Sequence, residues 1–536
     1  MGTELILANI VKRHAAVQPD LDVVTIVDTD AQGEFVETVR TYRQLWKNGQ
    51  AVAVSLIAHG LQLGDRFAIF MHNEAEFVDV MVGSSIAGTV FVPVDPRSRG
   101  RKLSYMLSFT ESRGVVCGDF CLPALLEIID KLPRLEWIWL VGEGELPALP
   151  LGSTVSVKRY GDVLVNDSPE LAVAVTDETR PMQMLFTSGT TGDPKAILSP
   201  YSRMRTAVMA YGLFQLNETD RPYTGLSLTH ANAQLLTLGS SLYAGMRCVI
   251  SRKFTKSRLW DITRKYDCTV FNLLGGMTNA VYSERPRADD LKNPVRLVIS
   301  AGMPREIWSA FRDRFGVVIH EFYGAAEGGF TANPPGVGPI GSIGKPPPGM
   351  VAIIVDEDGK ECPVGEAGEI IFQNADGSAP VVKYYKNEEA TAKKVVDGWL
   401  RMGDIGSMDE EGWMYFLFRK GGGIRKNGDF ISQGLLEKVL AESEEVIDVF
   451  VYGVATADNA PGEKNIVAAV VPTDSGSFSA DLLFDHCTRQ LETSHIPDFI
   501  HVVEKIPKTA SEKPQERFLL EGFQSETASV YSRRSA

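Results

Sequence analysis

Cysteine is scarce in this chain of 536 residues: Cys117, Cys121, Cys248, Cys268, Cys362 and Cys487 are all there are, mostly in apolar settings such as Val115-Val116-Cys117. So thin a set excludes a disulfide-built scaffold and predicts buried free thiols in a reducing cytosol. Cys117 and Cys121 share a short loop, but no second Cys/His pair accompanies them, so a four-ligand zinc site is not expected. Long apolar runs are also missing, since a membrane-crossing helix needs roughly 18 or more consecutive apolar residues and none is present. The opening Met-Gly-Thr-Glu has no basic segment leading into an apolar one, and the closing Ser-Arg-Arg-Ser-Ala is not the peroxisomal Ser-Lys-Leu. A cytoplasmic location is therefore the expectation. Positive charge is in deficit too: a net charge of -14 argues against nonspecific binding to nucleic acid or an anionic membrane. It leaves an anionic nucleotide open, because a local cradle decides that. Internal repeats and low-complexity tracts are absent, and 44% hydrophobic with 23% charged residues describes a globular protein with ample core.

What is present alternates. Apolar positions at helical spacing run over 5–17, and Thr41-Tyr42-Arg43-Gln44 opens a second helix reaching about Gly60. Residues 66–71 read as a strand, 76–87 as a helix, 90–94 as a strand, and 103–117 repeats the unit. Further strands are expected at 248–250, 269–274, 296–300 and 317–320, with a helix over 203–214. This alternation predicts α/β architecture with parallel sheets covered by helices. Several strands run into Gly or small residues at their C-terminal ends, where ligands sit in open α/β sheets. Pro and Gly dominate 334–350, and two-residue alternation over 351–355 and 368–372 then predicts a small β-rich module. Arg419-Lys420-Gly421-Gly422-Gly423 is the best hinge candidate, because each glycine absorbs large dihedral changes at little steric cost. A smaller α/β domain is expected beyond it.

The chain is organised around residues 186–195, Phe-Thr-Ser-Gly-Thr-Thr-Gly-Asp-Pro-Lys. The apolar Met182, Met184, Leu185 and Phe186 read as a buried strand, so the polar residues after it form a loop at a sheet edge. Ser188, Thr190 and Thr191 alternate with Gly189 and Gly192, which let backbone N–H groups converge on an anion, and Lys195 adds a point charge. The spacing is not that of a Walker loop, which disfavours that class of NTPase.

The same string, with Thr187, resembles the phosphate-binding signature of the adenylate-forming superfamily, which includes acyl-CoA synthetases, luciferases and peptide-synthetase adenylation domains. Ala196 stands where that family usually has glycine. Tyr323-Gly324-Ala325-Ala326-Glu327 resembles its second signature, with Ala326 in place of threonine. The resemblance implies Tyr323 stacking on adenine, and Mg²⁺ on the triphosphate held by Glu327 and Thr187. Gly398-Trp399-Leu400-Arg401-Met402-Gly403-Asp404 resembles the third, with Met402 for threonine. Asp404 is then the ribose acceptor and Arg419 the arginine facing ribose and phosphate. Ala301-Gly302-Met303 corresponds to the segment flanking adenine, and His230 to the histidine near the carboxylate and acyl tunnel. Ala231, Ala233, Asn272, Gly275, Gly276 and Ala325 fall where the family lines its acyl pocket. Residues 506–513, Ile-Pro-Lys-Thr-Ala-Ser-Glu-Lys, resemble the loop of the catalytic lysine, here Lys513, with Glu512 replacing glycine.

The resemblance implies a large N-terminal domain over 1–418 (its β-rich part about 335–418), a hinge over 419–423 at Lys420 and Gly421, and a mobile C-terminal domain over 424–536. Arg425, Lys426 and Gly428 continue the loop that meets CoA after rotation, although a family glutamate is Leu435 here. The implied activity is that of an ATP-dependent, AMP-forming acid:CoA ligase acting on a medium-chain, cyclic or aromatic acid. It would use Mg²⁺, with ATP and CoA as substrates, and form a homodimer by default. Two rivals stand beside it: an adenylating enzyme that loads a separate carrier-protein thiol, and a nucleotide-binding homologue that has lost catalysis, motivated by Ala196, Ala326, Met402, Leu435 and Glu512.

Overall fold

A computed structural model of the protein describes residues 3–149, 153–164, 169–187, 194–420, 423–426, 429–431, 433–455, 464–509, 512, 514–524 and 527–533. The chain divides into two compact units. The first comprises Met1–Asn272, Pro294–Arg296 and Val381–Lys393, and the second Leu273–Asn293, Leu297–Pro380 and Lys394–Ala536.

In the first unit, one sheet runs in the order Ser156–Arg159, Trp137–Val141, Gly114–Gly118, Arg66–Phe70, Val90–Pro93, Pro181–Thr187, Lys195–Pro200. Its neighbours are parallel except the last pair, which is an antiparallel hairpin. Asp22–Thr29, Cys248–Ser251, Pro222–Thr224 and the start of Val270–Leu274 pair in parallel, with Phe35–Thr41 antiparallel at the rim. The inner strands, such as Arg66–Phe70, Val90–Pro93, Gly114–Gly118 and Cys248–Ser251, read as near-continuous apolar runs because both faces are covered. Two of the covering helices, Tyr42–Ala58 and Ala75–Ala87, cross closely at Gly49 and Gly83, where a Cβ on either would strike Val82 or Val52. The first of them starts where the sequence predicts: Thr41 accepts from the Gln44 N–H at 3.2 Å while Gln44 accepts from the Thr41 N–H at 2.8 Å.

In the second unit, Leu297–Ala301 and Val318–Ala325 pair in parallel, and Gly328–Ala332 folds back on the latter. The expected β-rich module is present. Met350–Val355, Gly368–Asn374 and Trp399–Met408 form an antiparallel sheet, with Val395–Val396 and Met414–Arg419 both paired to the last. The terminal part has a sheet of its own, Val446–Val454, Asn465–Pro472, Phe499–Val502 and Val530–Ser532, against helices Gln433–Ala441 and Ala480–Gln490. Leu436, Leu440, Val451, Ile466, Leu483 and Ile500 form its separate core.

Candidate nucleotide and acyl site

The second unit gathers the residues of two signatures that are far apart in sequence. The Tyr323 hydroxyl donates to Asp404 Oδ2 at 2.5 Å. The tyrosine ring lies near and roughly parallel to Phe372 and Phe416, with centroids 6.2 and 6.4 Å away and interplanar angles of 13° and 27°. Such a stack is a slab on which a further flat ring can lie. Burial first, and the Asp404 carboxylate next, push the Tyr323 phenol well above its ordinary pKa, so it remains a donor. Asp404 is buried, and Arg419 Nε lies 3.9 Å from its Oδ1. Met402 is buried with its sulfur facing Gly329, so the residue that replaces threonine acts in packing. Ala301, Gly302 and Met303 lie at the end of the Leu297–Ala301 strand, and Gly302 has φ +100°. Gly324 and Ala325 end the Val318–Ala325 strand, and Ala326 and Glu327 form the turn into Gly328–Ala332.

The first unit carries the other half of the predicted set. Thr187 ends its strand opposite Lys195, whose Nζ stands 5.4 Å from the Tyr384 ring centroid. Ala196 pairs with Phe186 in extended backbone, so the methyl that replaces the family glycine meets no conformational penalty. Ser188, Gly189, Thr190, Thr191 and Gly192 lie outside the described residues. His230 is followed by a π-helix, Asn232–Gly239, a rare element that the sequence reading did not anticipate and that concentrates at functional sites. His230 Nε2 is buried without a hydrogen-bond partner among the described residues, and burial pushes the imidazole down to about 4. It is therefore neutral at physiological pH. Ala231 and Ala233 lie at the start of that π-helix, and Asn272 donates to Asn232 and accepts from Thr237 at 3.2 Å.

Gly275 and Gly276 head the helix Gly275–Tyr282 in the second unit. A Cβ at Gly276 would fall 2.7 Å from the Glu512 carbonyl oxygen and 3.7 Å from Pro514 Cδ, so the residues either side of position 513 approach this glycine. Lys513, Gly421 and Gly428 lie outside the described residues. Glu512 has φ +59°, the left-handed region that its family glycine would adopt freely. The Arg425–Lys426 strand pairs with Asp429–Phe430, and the Lys426 ammonium sits 2.7 and 2.8 Å from the two Asp498 oxygens. Leu435 packs on the terminal core. Lys420 donates its N–H to Gly403 O at 2.9 Å, and its Nζ is 3.8 Å from Glu369.

The AMP-binding enzyme model matches residues 11–380, and the AMP-binding enzyme C-terminal domain matches residues 435–513. The chain belongs to the AMP-binding enzyme family. Among the relatives of this AMP-binding enzyme, Long-chain fatty acid transport protein 1 of Bos taurus is 30% identical over 516 residues, covering 90% of this chain and 78% of that one. Crotonobetaine/carnitine-CoA ligase of Salmonella heidelberg (strain SL476) is 28% identical over 465 residues, covering 85% and 88%. In fold the enzyme is similar to an anthranilate CoA ligase solved in complex with anthranoyl-AMP, at a TM-score of 0.80 and 23% identity over 96% of both chains.

Several groups that hold these candidate residues escaped the sequence reading. Lys394 donates to the Met402 carbonyl at 3.3 Å, and burial lowers its pKa while Glu327, Asp404 and Glu369 oppose that. Glu369 accepts from Arg401 at 2.9 Å and from the Gly403 N–H at 3.2 Å, which fixes the turn carrying Asp404. In the first unit, Asn73 donates to Leu226 O and Ser251 O, both at 2.9 Å, and accepts from the Leu228 N–H at 2.7 Å. That buried amide braces the segment leading to His230. None of these lies inside a contiguous motif, and a lone Lys, Glu or Asn carries no local signal of its partners.

Proposed function

We propose that this AMP-binding enzyme is an ATP-dependent, AMP-forming acid:CoA ligase. The observation that carries the reading is the Tyr323–Asp404 hydrogen bond within the aromatic stack. It joins a ring suited to a base and a carboxylate suited to ribose hydroxyls, brought together from positions 81 residues apart. Lys195 and the hydroxyl-rich loop before it bind the phosphates, and Ala301, Gly302 and Met303 flank the base.

In the first half-reaction a substrate carboxylate attacks the α-phosphorus of ATP, the bond to the β-phosphate breaks, and pyrophosphate leaves. Lys513 puts positive charge where negative charge builds, and binding supplies the alignment. Neutral His230 borders the carboxylate without competing for it as a cation. In the second half-reaction a thiol attacks the acyl carbonyl and AMP leaves, which needs Lys513 withdrawn. The Lys420–Gly421 joint permits that, with 1–418 as the adenylating domain and 424–536 as the moving one. Arg425, Lys426 and Gly428 then face CoA.

Among the described residues no cluster of three or more Asp, Glu, His or Cys side chains is arranged to hold a metal by itself. Glu327 and Thr187 are the oxygen donors that would hold a Mg²⁺, a hard cation suited to such ligands. Bound there, the ion would neutralise phosphate charge. Small residues at 231, 233, 275, 276 and 325 leave room for a medium-chain, cyclic or aromatic acid. No helix among the described residues is long and apolar enough to cross a membrane, and we place the enzyme in the cytoplasm, as a homodimer.

Carboxylate-dependent exchange of labelled pyrophosphate into ATP tests the adenylation, and a panel of acids assayed by pyrophosphate release identifies the substrate. Exchange must vanish in Lys513→Ala. CoA compared with a phosphopantetheinyl carrier protein as acceptor tests the second step, and no exchange with any acid would refute the proposal.

A further inference from the structure

In the parallel pair that ends at the adenine segment, Glu321 lies beside Ser300. It is 2% exposed, and a carboxylate so placed is costly unless its oxygens are hydrogen-bonded. Its partners are backbone: the Gly302 N–H donates to Oε1 at 2.5 Å, and the Met303 N–H reaches Oε1 at 3.2 Å and Oε2 at 3.1 Å. This is not a buried ion pair, since the groups that act on it are the N–H donors and the neighbouring Ser300 rather than a cation. The segment is confined on another side by a second close approach, for a Cβ at Gly275 would come within 3.0 Å of Gly302 O. Between these two contacts the chain turns through Gly302 at φ +100°, a conformation other residues adopt only under strain. Met303 is buried while Gly302 is exposed, so the segment keeps one open face.

We propose that Glu321 is a positioning residue of the nucleotide site, its buried carboxyl group holding the Gly302 and Met303 N–H groups inward so that the open face of the segment is preset for the adenine ring. The proposal rests on the nucleotide reading given above. Glu321 does not touch the ligand. It acts by removing the freedom that a glycine-containing strand end would otherwise keep, and a base that meets an ordered edge binds without the entropic cost of ordering it. Burial pushes its carboxyl up to about 8 against the pull of the two N–H groups, the mark of an acid retained in an unfavourable place.

The test is Glu321→Gln, whose carboxamide is nearly isosteric but turns an amino group toward one of the N–H donors. AMP binding by calorimetry should weaken about 5- to 100-fold, the range expected when buried N–H donors are left without an acceptor. KM for ATP should rise by a similar factor, while KM for the carboxylic acid and for CoA stays at the wild-type value. Should Glu321→Gln fail to fold, Glu321→Asp, which keeps the carboxyl group and retracts it by one methylene, carries the same measurements. Unchanged AMP affinity and unchanged KM for ATP would overturn the proposal, and so would equal losses of affinity for nucleotide and acid, which mark general damage. Wild-type enzyme that binds no AMP would overturn the nucleotide reading and this proposal together, whereas wild-type binding matched by the variant overturns the proposal alone.

Discussion

Replacing Glu512 by glycine should accelerate adenylation, and the reason is a single dihedral angle. Glu512 adopts φ +59°, its N–H donates to Thr509 O at 2.9 Å, and its carbonyl faces Gly276. An L-residue with a Cβ in that region loses about 1–2 kcal/mol relative to glycine, which visits it freely. Glycine gives back part of this, about 0.5–1 kcal/mol, through the greater freedom it has when the loop is open. The net gain is therefore about 0.5–1 kcal/mol for the conformation that carries Lys513, or roughly two- to five-fold in its population, since 1.4 kcal/mol is tenfold. Single-turnover formation of acyl-adenylate under saturating ATP reads that population wherever loop closure limits the step. Glu512→Ala is the control, because it removes the carboxylate but keeps the Cβ. If alanine accelerated the reaction as much as glycine, charge beside Lys513 would be the cause and the backbone account would be wrong. A slower Glu512→Gly enzyme would refute it outright.

Gly276→Val should nearly abolish pyrophosphate exchange while AMP affinity, measured calorimetrically, stays within about twofold, because the new side chain strikes the Glu512 carbonyl and not the Tyr323–Asp404 pair. Gly421→Pro should spare adenylation and slow thioester formation, and equal loss of both half-reactions would count against the joint. Tyr323→Phe removes one hydrogen bond to a carboxylate, a loss of about 1.5–3 kcal/mol, so AMP should bind roughly tenfold or more weakly; tight binding by this variant would show that the hydroxyl does not organise Asp404. Stability should also vary with pH in a defined sense. Burial raises Glu321 to about 8 and Glu437 to about 7, the latter despite the Val451 N–H at 3.0 Å, while burial holds His230 and His72 down to about 4. Unfolded carboxyls titrate near about 4.3 and imidazoles near about 6.5. The raised acids contribute stability that is full below their unfolded values and lost as pH rises to about 7 and about 8, whereas the depressed imidazoles remove stability as pH falls from about 6.5 to about 4. Tm should thus be highest near about pH 6 and decline toward about pH 8.5, and Glu437→Gln should flatten the alkaline limb.

The family and the fold class were legible because their signals are local. The hydroxyl-rich loop, the Tyr323–Glu327 run, the Trp399–Asp404 run and the Lys513 loop are each contiguous, and the strand–helix alternation needs only a window of a few turns to read. The β-rich module was likewise visible as period-two alternation over residues 351–355 and 368–372. The same windows gave no hint of the π-helix after His230, whose hydrogen-bond register is set by what the segment packs against rather than by its own apolar period.

The sequence by itself determined which chemical groups this AMP-binding enzyme possesses and in what order: a run of hydroxyls, a tyrosine, a carboxylate and, far downstream, a lysine. Tertiary structure decided which of them meet and what holds them. Tyr323 finds Asp404, Glu369 fixes Gly403, and Glu321 fastens Gly302 and Met303 across separations of 81, 34 and 18–19 residues. A buried carboxylate or amide is recognisable as functional only through its partners, and those are supplied by the fold, because the cost of burying it is met by donors that no neighbouring residue provides.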